Sequence, residues 1–297
     1  MHMTAKSECR PSEVSSSRVS SRVLMREAES RLGASDAPDL DVRWLLAHVL
    51  EVDHRDATLR SDRWISAADA QRFHTLLERR ATGEPLAHIL GEWEFYGHVI
   101  EVTPSVLVPR PETELMVEWG LSLLQGVSSP RVVEIGIGSG AVTIALALER
   151  SDLSAVGVDI SAEALAIAGR NLARHRLDER VELLQGSHFG PLEGVFDLVY
   201  SNPPYIAPGD PLLQENVARH EPAIALIDDV DGDGLGHHRR LIEGFDRWIR
   251  PGGALLLECG MGQVRDIEQF ARSKGFQSSF RADLADIPRV VLVQARS

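Results

Sequence analysis

The sequence predicts an α/β fold: a mostly parallel sheet covered by helices on both faces, with a small helical domain and a linking β-hairpin ahead of it. Three observations predict it. From about Glu112 onward, short apolar runs alternate with helical patterns. Ahead of them, from about Val23, apolar residues recur at three- and four-residue steps. Between the two, the repeat shortens to two residues and runs into a segment with prolines.

In chain order, residues 1–22 read as a polar, Ser-rich tail ("SEVSSSRVSSR") that is expected to be disordered. Residues 23–90 read as a helical domain, a discrete unit suited to docking a substrate. In "DLDVRWLLAHVLEV", Val42, Leu45, Leu46, Val49 and Leu50 form one apolar face, with Asp39 and Asp41 as caps. Ser66 caps the next helix, which turns Phe73, Leu76 and Leu77 inward, and Gly83 and Pro85 close the domain. Trp44, Trp64 and Trp119 fall in helical patterns as packing residues. Residues 91–111 hold the hairpin "EWEFYGHVIEV" and a stiff connector through "VLVPRPE". In residues 112–297 the strands are "RVVEIG", "SAVGVDI", "VELLQG", "VFDLVY", "GALLLEC" and "RVVLVQA". Helices such as "SAEALAIAGRNLARH" lie between most of them.

Composition narrows the function classes. The chain has 297 residues, a net charge of −13 and a pI near 5.3. That argues against broad, sequence-blind binding of nucleic acid, which needs many Lys and Arg contacts to phosphate. A local basic patch stays open. The two cysteines, Cys9 and Cys259, have no metal-type spacing and fit a reducing, cytoplasmic compartment. Apolar runs such as "ALLLE" are too short to span a bilayer, and no signal peptide is expected at the N-terminus.

The first chemical motif is "VVEIGIGSGAVTIALAL", in which an apolar strand enters Gly136, Gly138 and Gly140 and a helix begins at once. Glycine lets the backbone turn tightly and approach a ligand, and the helix start offers free N–H groups. Asp159 ends the next strand about 20 residues on, where an acid can accept two ribose hydroxyls. The spacing is GxGxG rather than the dinucleotide GxGxxG, and no Walker-type Lys is present. Glu134, just before the glycines, would repel a pyrophosphate and suit an ammonium or sulfonium. S-adenosylmethionine is a nucleotide-like ligand of that charge.

The second is "DLVYSNPPY", at the end of the fourth of these strands. Pro203 and Pro204 hold the residues before them out of the helical region, so Asn202 and the Pro203 carbonyl can be aimed. Both can accept from one –NH₂ group, and Tyr205 offers a ring to stack on a planar partner. The pattern suits a carboxamide or an exocyclic base amine, whose nitrogen is a poor nucleophile. Accepting its protons raises electron density on it, and no general base is needed before attack.

With these motifs, and with "DVRWLLAHVL", "ERRATGEPLAHILGEWEFYG", "VLVPRPETE", "HEPAIAL" and "DGDGL", the chain from about residue 25 resembles the release factor glutamine methyltransferases, the PrmC/HemK family of class I (Rossmann-like) methyltransferases. The resemblance implies a helical N-terminal domain, a hairpin and a seven-stranded methyltransferase domain. It implies methylation, with S-adenosyl-L-methionine, of the glutamine amide in the Gly-Gly-Gln loop of peptide-chain release factors. The cofactor would sit on Gly136, Ile137, Gly138, Ser139, Gly140 and Asp159, beside Glu134 and Asn202, and Asn202, Pro203, Pro204 and Tyr205 would hold the glutamine. Ser187 and His188 stand where the family has an acid and then an aromatic near the adenine. His88 replaces a frequent Tyr, and "LADIPRVV" lacks the usual Gly or Asn turn before Arg.

Other residues take a plainer reading. His237 and His238 are expected to be solvated helix residues and no metal site. His220 and Glu221 either shape the substrate pocket or cap local backbone. Arg110, Glu112 and Glu114 either order the loop under the cofactor or form an ion-pair cluster. Alternative functions are an adenine-amine methyltransferase on DNA or RNA, a methyltransferase of ribosomal protein glutamines, or a scaffold that binds cofactor without turnover. A base-specific enzyme would carry a basic recognition domain, and residues 23–90 lack one.

Overall fold

The computed structural model describes residues 18–295 except 34, 36, 61, 62 and 212, so Cys9 and most of the expected tail lie outside the described residues. The chain forms two compact units, one up to Ile89 and one from Leu90.

In the first unit, β1 (Val19–Ser20) precedes α1 (Ser21–Arg31), α2 (Pro38–Leu50), β2 (Trp64–Ile65), α3 (Ala67–Ala81) and α4 (Leu86–Leu90), which runs across the boundary. Helix α1 thus takes in Ser21 and Arg22, which the sequence reading gave to the tail. Val42, Leu45, Leu46 and Val49 of α2 are buried with Phe73 and Leu77 of α3, because three- and four-residue spacing puts them on facing stripes. Ser66 caps α3 as expected, accepting from the Asp69 N–H at 3.1 Å. Helix α2 starts differently: Pro38 opens it, and Asp39 and Asp41 lie inside its first turn. Asp41 is buried and pairs with Arg80 at 2.7 Å, so α3 holds the acid in place of a cap. Trp64 corrects the packing expectation: it sits on β2, 64% exposed.

The second unit opens with β3 (Glu92–Phe95) and β4 (His98–Glu101), paired through Tyr96 and Gly97, both at positive φ as a tight hairpin turn demands. Then come α5 (Glu114–Leu123), β5 (Arg131–Ile135), α6 (Ala141–Glu149), β6 (Ser154–Asp159), α7 (Ala162–Arg174), β7 (Val181–Gln185) and β8 (Phe196–Ser201). The short helices α8 (Glu215–His220) and α9 (Ala223–Leu226) precede α10 (Gly236–Gly244), β9 (Ile249–Glu258), α11 (Val264–Ser273), β10 (Gln277–Ala282) and β11 (Pro288–Gln294).

Seven strands form one sheet in the order β10-β11-β9-β8-β5-β6-β7. Strands β9 to β7 are parallel, and β11 is antiparallel to both its neighbours. Val132, Val133, Ile135, Val156, Val158, Leu198, Val199 and Leu255 to Leu257 are buried, because helices cover both faces of a parallel sheet. Strand β10 was not read from the sequence. It is an edge strand, its residues half-buried or exposed, and "QSSFRA" carries no apolar alternation.

Candidate active site

The strand order reverses at β5, so the carboxyl ends of β5 and β8 lie side by side at the switch point where open α/β sheets bind ligands. A cavity of about 610 Å³ opens there. Its walls include Glu134, Gly136, Ile137, Gly138, Ser139, Asp159, Ser187, His188, Asn202, Pro203 and Pro204. Two distant motifs named from the sequence are thereby brought to one space. Gly140 shapes the turn behind this wall.

The turn from β5 into α6 uses Gly136, Gly138 and Gly140 at φ +76°, +54° and +82°, a region that costs other residues strain. The loop is pinned from outside. The Val158 carbonyl accepts from the Gly136 and Ile137 N–H groups at 2.7 and 3.0 Å. Asp159 accepts from the Gly138 N–H and the Ser161 N–H, both at 2.9 Å, which leaves each oxygen a further lone pair. Asn171, fully buried, donates to the Ser139 carbonyl at 2.9 Å and exchanges two hydrogen bonds with the Glu101 backbone.

Glu134 is 4% exposed in the central strand. Thr143 donates to its carboxylate with both O–H and N–H, and the Thr143 oxygen lies 2.7 Å from the buried Tyr200 hydroxyl. Burial pushes the Glu134 carboxyl up to about 8, against the Thr143 bonds that lower it. The sequence pointed to the acid but not to this supporting chain, whose members read as ordinary helix and strand residues.

At the end of β8, Ser201 donates to the Ile135 carbonyl at 2.6 Å and ties the two loops together. Asn202, Pro203 and Pro204 follow in the cavity wall. Tyr205 is not among the residues that line this cavity; it lines a second one of about 320 Å³, which shares Leu107, Arg110 and Ala225 with the first. Burial raises its phenol well above the ordinary value, so it stays neutral. The Tyr205 carbonyl is held by Gln263, whose amide donates to it at 2.8 Å and accepts from the Gly260 N–H at 2.8 Å. Beyond it, Ile206 pairs with Ile227 as a single bridge.

The remaining candidates divide. Glu221 is buried and accepts from Arg110 at 2.5 Å and from the Val108 N–H at 3.2 Å, so it orders the connector along the cavity. Glu114 accepts from the Tyr96 N–H instead, and orders the hairpin turn. His188, at φ +50°, sits 2.8 Å from the Ser187 hydroxyl and 3.1 Å from His237, so both its ring nitrogens are engaged. Burial lowers its pKa to about 4, which keeps the ring neutral. His237 and His238 correct the reading of solvated residues: His237 lines the cavity, and His238 is 1% exposed beneath the Glu258 carbonyl at 2.8 Å. Asp228, Asp229 and His237 bring one ligand atom each within 4.8 Å. Both Asp228 oxygens already accept, from the Val230 and Gly236 N–H groups.

Residues 23–91 match the family model of the PrmC N-terminal domain, and residues 114–219 that of the Methyltransferase small domain. The chain is 41% identical over 270 residues to a release factor glutamine methyltransferase of Burkholderia pseudomallei, covering 88% of this chain and 94% of that one. It is 43% identical over 251 residues to one of Nitratidesulfovibrio vulgaris, covering 82% and 83%. The solved N-terminal domain of human METTL16, in complex with SAH, shares the fold at a TM-score of 0.51 with 14% identity, over 80% of this chain and 86% of that one.

Proposed function

The chain belongs to the release factor glutamine methyltransferase family, and on that premise we propose that it transfers a methyl group from S-adenosyl-L-methionine to the side-chain amide nitrogen of the glutamine in the Gly-Gly-Gln loop of peptide-chain release factors. The observation that carries this reading is the meeting of the glycine loop, Asp159 and Asn202-Pro203-Pro204 around one cavity.

The residues present fit the cofactor. A cavity of about 610 Å³ is of the size that holds a drug-sized ligand. Gly136 to Gly140 let backbone approach it closely, and Asp159 has lone pairs for ribose hydroxyls. Ser187 offers a hydroxyl, whereas His188 has its nitrogens engaged and offers its ring face. Glu134 answers a nearby positive charge by ionising, a response that its raised pKa makes available. When bound, S-adenosyl-L-methionine supplies a methyl group made electrophilic by the adjacent sulfonium.

The chain's own part is to aim the amide. Asn202 Oδ1 and the Pro203 carbonyl accept its two N–H groups, which raises electron density on nitrogen and fixes its direction. Proline geometry and the Gln263 hold on Tyr205 keep these acceptors still. Tyr205 forms the wall of the adjoining space, where residues flanking the glutamine pass. Residues 23–90 dock the release factor, and the partner is a protein in the cytoplasm rather than a nucleic acid or a membrane. No helix among the described residues is long and apolar enough to cross a membrane.

The test is transfer of labelled methyl to purified release factor, with the modified residue mapped by mass spectrometry. One methyl group on the Gly-Gly-Gln glutamine is expected. Label that enters adenine in DNA or RNA, or ribosomal protein glutamines, while release factor stays unlabelled would overturn the proposal.

A further inference from the structure

Glu258 is the last residue of β9 and is 3% exposed. Strand β8 pairs with β9 with Ser201 opposite Leu257, so the next residue on each chain sets Asn202 beside Glu258. Arg289 on β11, a cation whose charge reaches Glu258, is already bound to Asp283 through its Nε at 2.9 Å. Glu258 Oε2 and Thr113 Oγ1 are both buried without a well-aligned hydrogen-bond partner. What lowers the cost of ionising this acid is therefore mainly neutral dipoles, those of Thr113 and Asn202, with Arg289 as a more distant charge.

A primary carboxamide has a donor end and an acceptor end on opposite sides. A carboxylate beside Asn202 attracts the –NH₂ end, and Oδ1 then faces the cavity that Asn202 lines. We propose that Glu258 is a positioning residue that sets which end of the Asn202 carboxamide faces the substrate. The proposal rests on reading Asn202 as the acceptor of the substrate amide. It also gives a reason why this buried acid has no ion pair among the described residues: an arginine facing Asn202 would attract the opposite end of its carboxamide.

The carboxyl is pushed up to about 7, by burial first and by Glu112 next, while Thr113, Arg289 and Asn202 pull it down. Tyr205 and Cys259 adjoin it with their own proton loss pushed upward, and His238 meets its backbone carbonyl. Below its pKa, Glu258 carries an O–H that can donate to Asn202 Oδ1 and reverse the amide. Methyl transfer at saturating cofactor should therefore fall on the acid side, with a midpoint near pH 7.

Glu258→Gln keeps the volume but offers Asn202 either end. The expected result is a kcat about tenfold lower, a KM for release factor within about twofold and unchanged cofactor affinity. The acid limb of the kcat profile should disappear. A second readout needs no turnover: in the wild-type protein without cofactor, the Asn202 side-chain NH₂ resonances should shift with a midpoint near pH 7. In the variant they should stay flat. An active wild type whose Asn202 signals do not titrate, or a variant with the wild-type kcat and pH profile, overturns the role of Glu258. A wild type that leaves release factor unmethylated while its Asn202 signals titrate overturns the functional reading instead.

Discussion

Two loops leave the same edge of the sheet one strand apart, and they reach rigidity by opposite means. The glycine loop after β5 has a permissive backbone and is pinned from outside, by Val158, Asp159 and Asn171. The loop after β8 is stiffened from within by Pro203 and Pro204, and needs outside help mainly at Ser201 and at the Tyr205 carbonyl. On the proposed reading, a cofactor with many polar groups would be met at the first loop by backbone N–H groups and a carboxylate, and a single planar amide at the second by two acceptors that proline holds at fixed angles. The difference teaches that a loop's stiffness follows from what it must hold.

The largest effect should come from removing the aimed acceptor. Asn202→Ala is expected to lower single-turnover methyl transfer by about 10²-fold or more, roughly 3 kcal/mol, while the fold and the glycine loop stay intact. Rapid-quench measurement at saturating cofactor checks it. A rate near wild type would make the carboxamide structural and dissolve the contrast between the loops.

A smaller effect sharpens the comparison through backbone alone. A Cβ on Gly138 meets nothing within 4 Å, so Gly138→Ala pays only for its φ, about 1–2 kcal/mol. A Cβ on Gly234, also at positive φ, lies 2.5 Å from the Tyr205 carbonyl oxygen and would push on the proline loop. Gly234→Ala is expected to cost about 2–3 kcal/mol and to slow transfer more than it weakens cofactor binding; Gly138→Ala should do the reverse. Chemical denaturation and calorimetry on both variants give the answer. Equal kinetic profiles would argue that the two loops move as one.

The smallest concerns Glu134, which supports the glycine side. Its folded pKa is raised to about 8, so the folded state binds the proton more tightly than the unfolded chain. The associated stability is full below the ordinary carboxylate pKa and is lost as pH rises through about 8. Glu134→Gln has no such loss. Relative to wild type, the variant should gain roughly 2 kcal/mol of stability between pH 6 and pH 8. Glu258 titrates with the same sign in both proteins and drops out of the difference. Denaturation curves at the two pH values test this; a constant difference would mean that Glu134 is already ionised at pH 6.

What the sequence alone determined is the set of local chemistries. The parallel strands were legible because burial on both faces makes each a continuous apolar run. The glycine turn and the proline loop were legible because glycine and proline act on φ at their own positions, whatever surrounds them. Helix α3 announced its cap at Ser66 for the same reason. What only the tertiary structure decided is what lies opposite these pieces. Strand β10 escaped because an edge strand needs no apolar alternation, and Asp41 became an ion-pair partner because Arg80 faces it across two helices. His188 met His237, and Glu258 came beside Asn202, each through pairing between residues dozens of positions apart. Sequence spacing carries the conformation of a segment; the company a side chain keeps depends on strand order, and that is settled only when the whole sheet assembles.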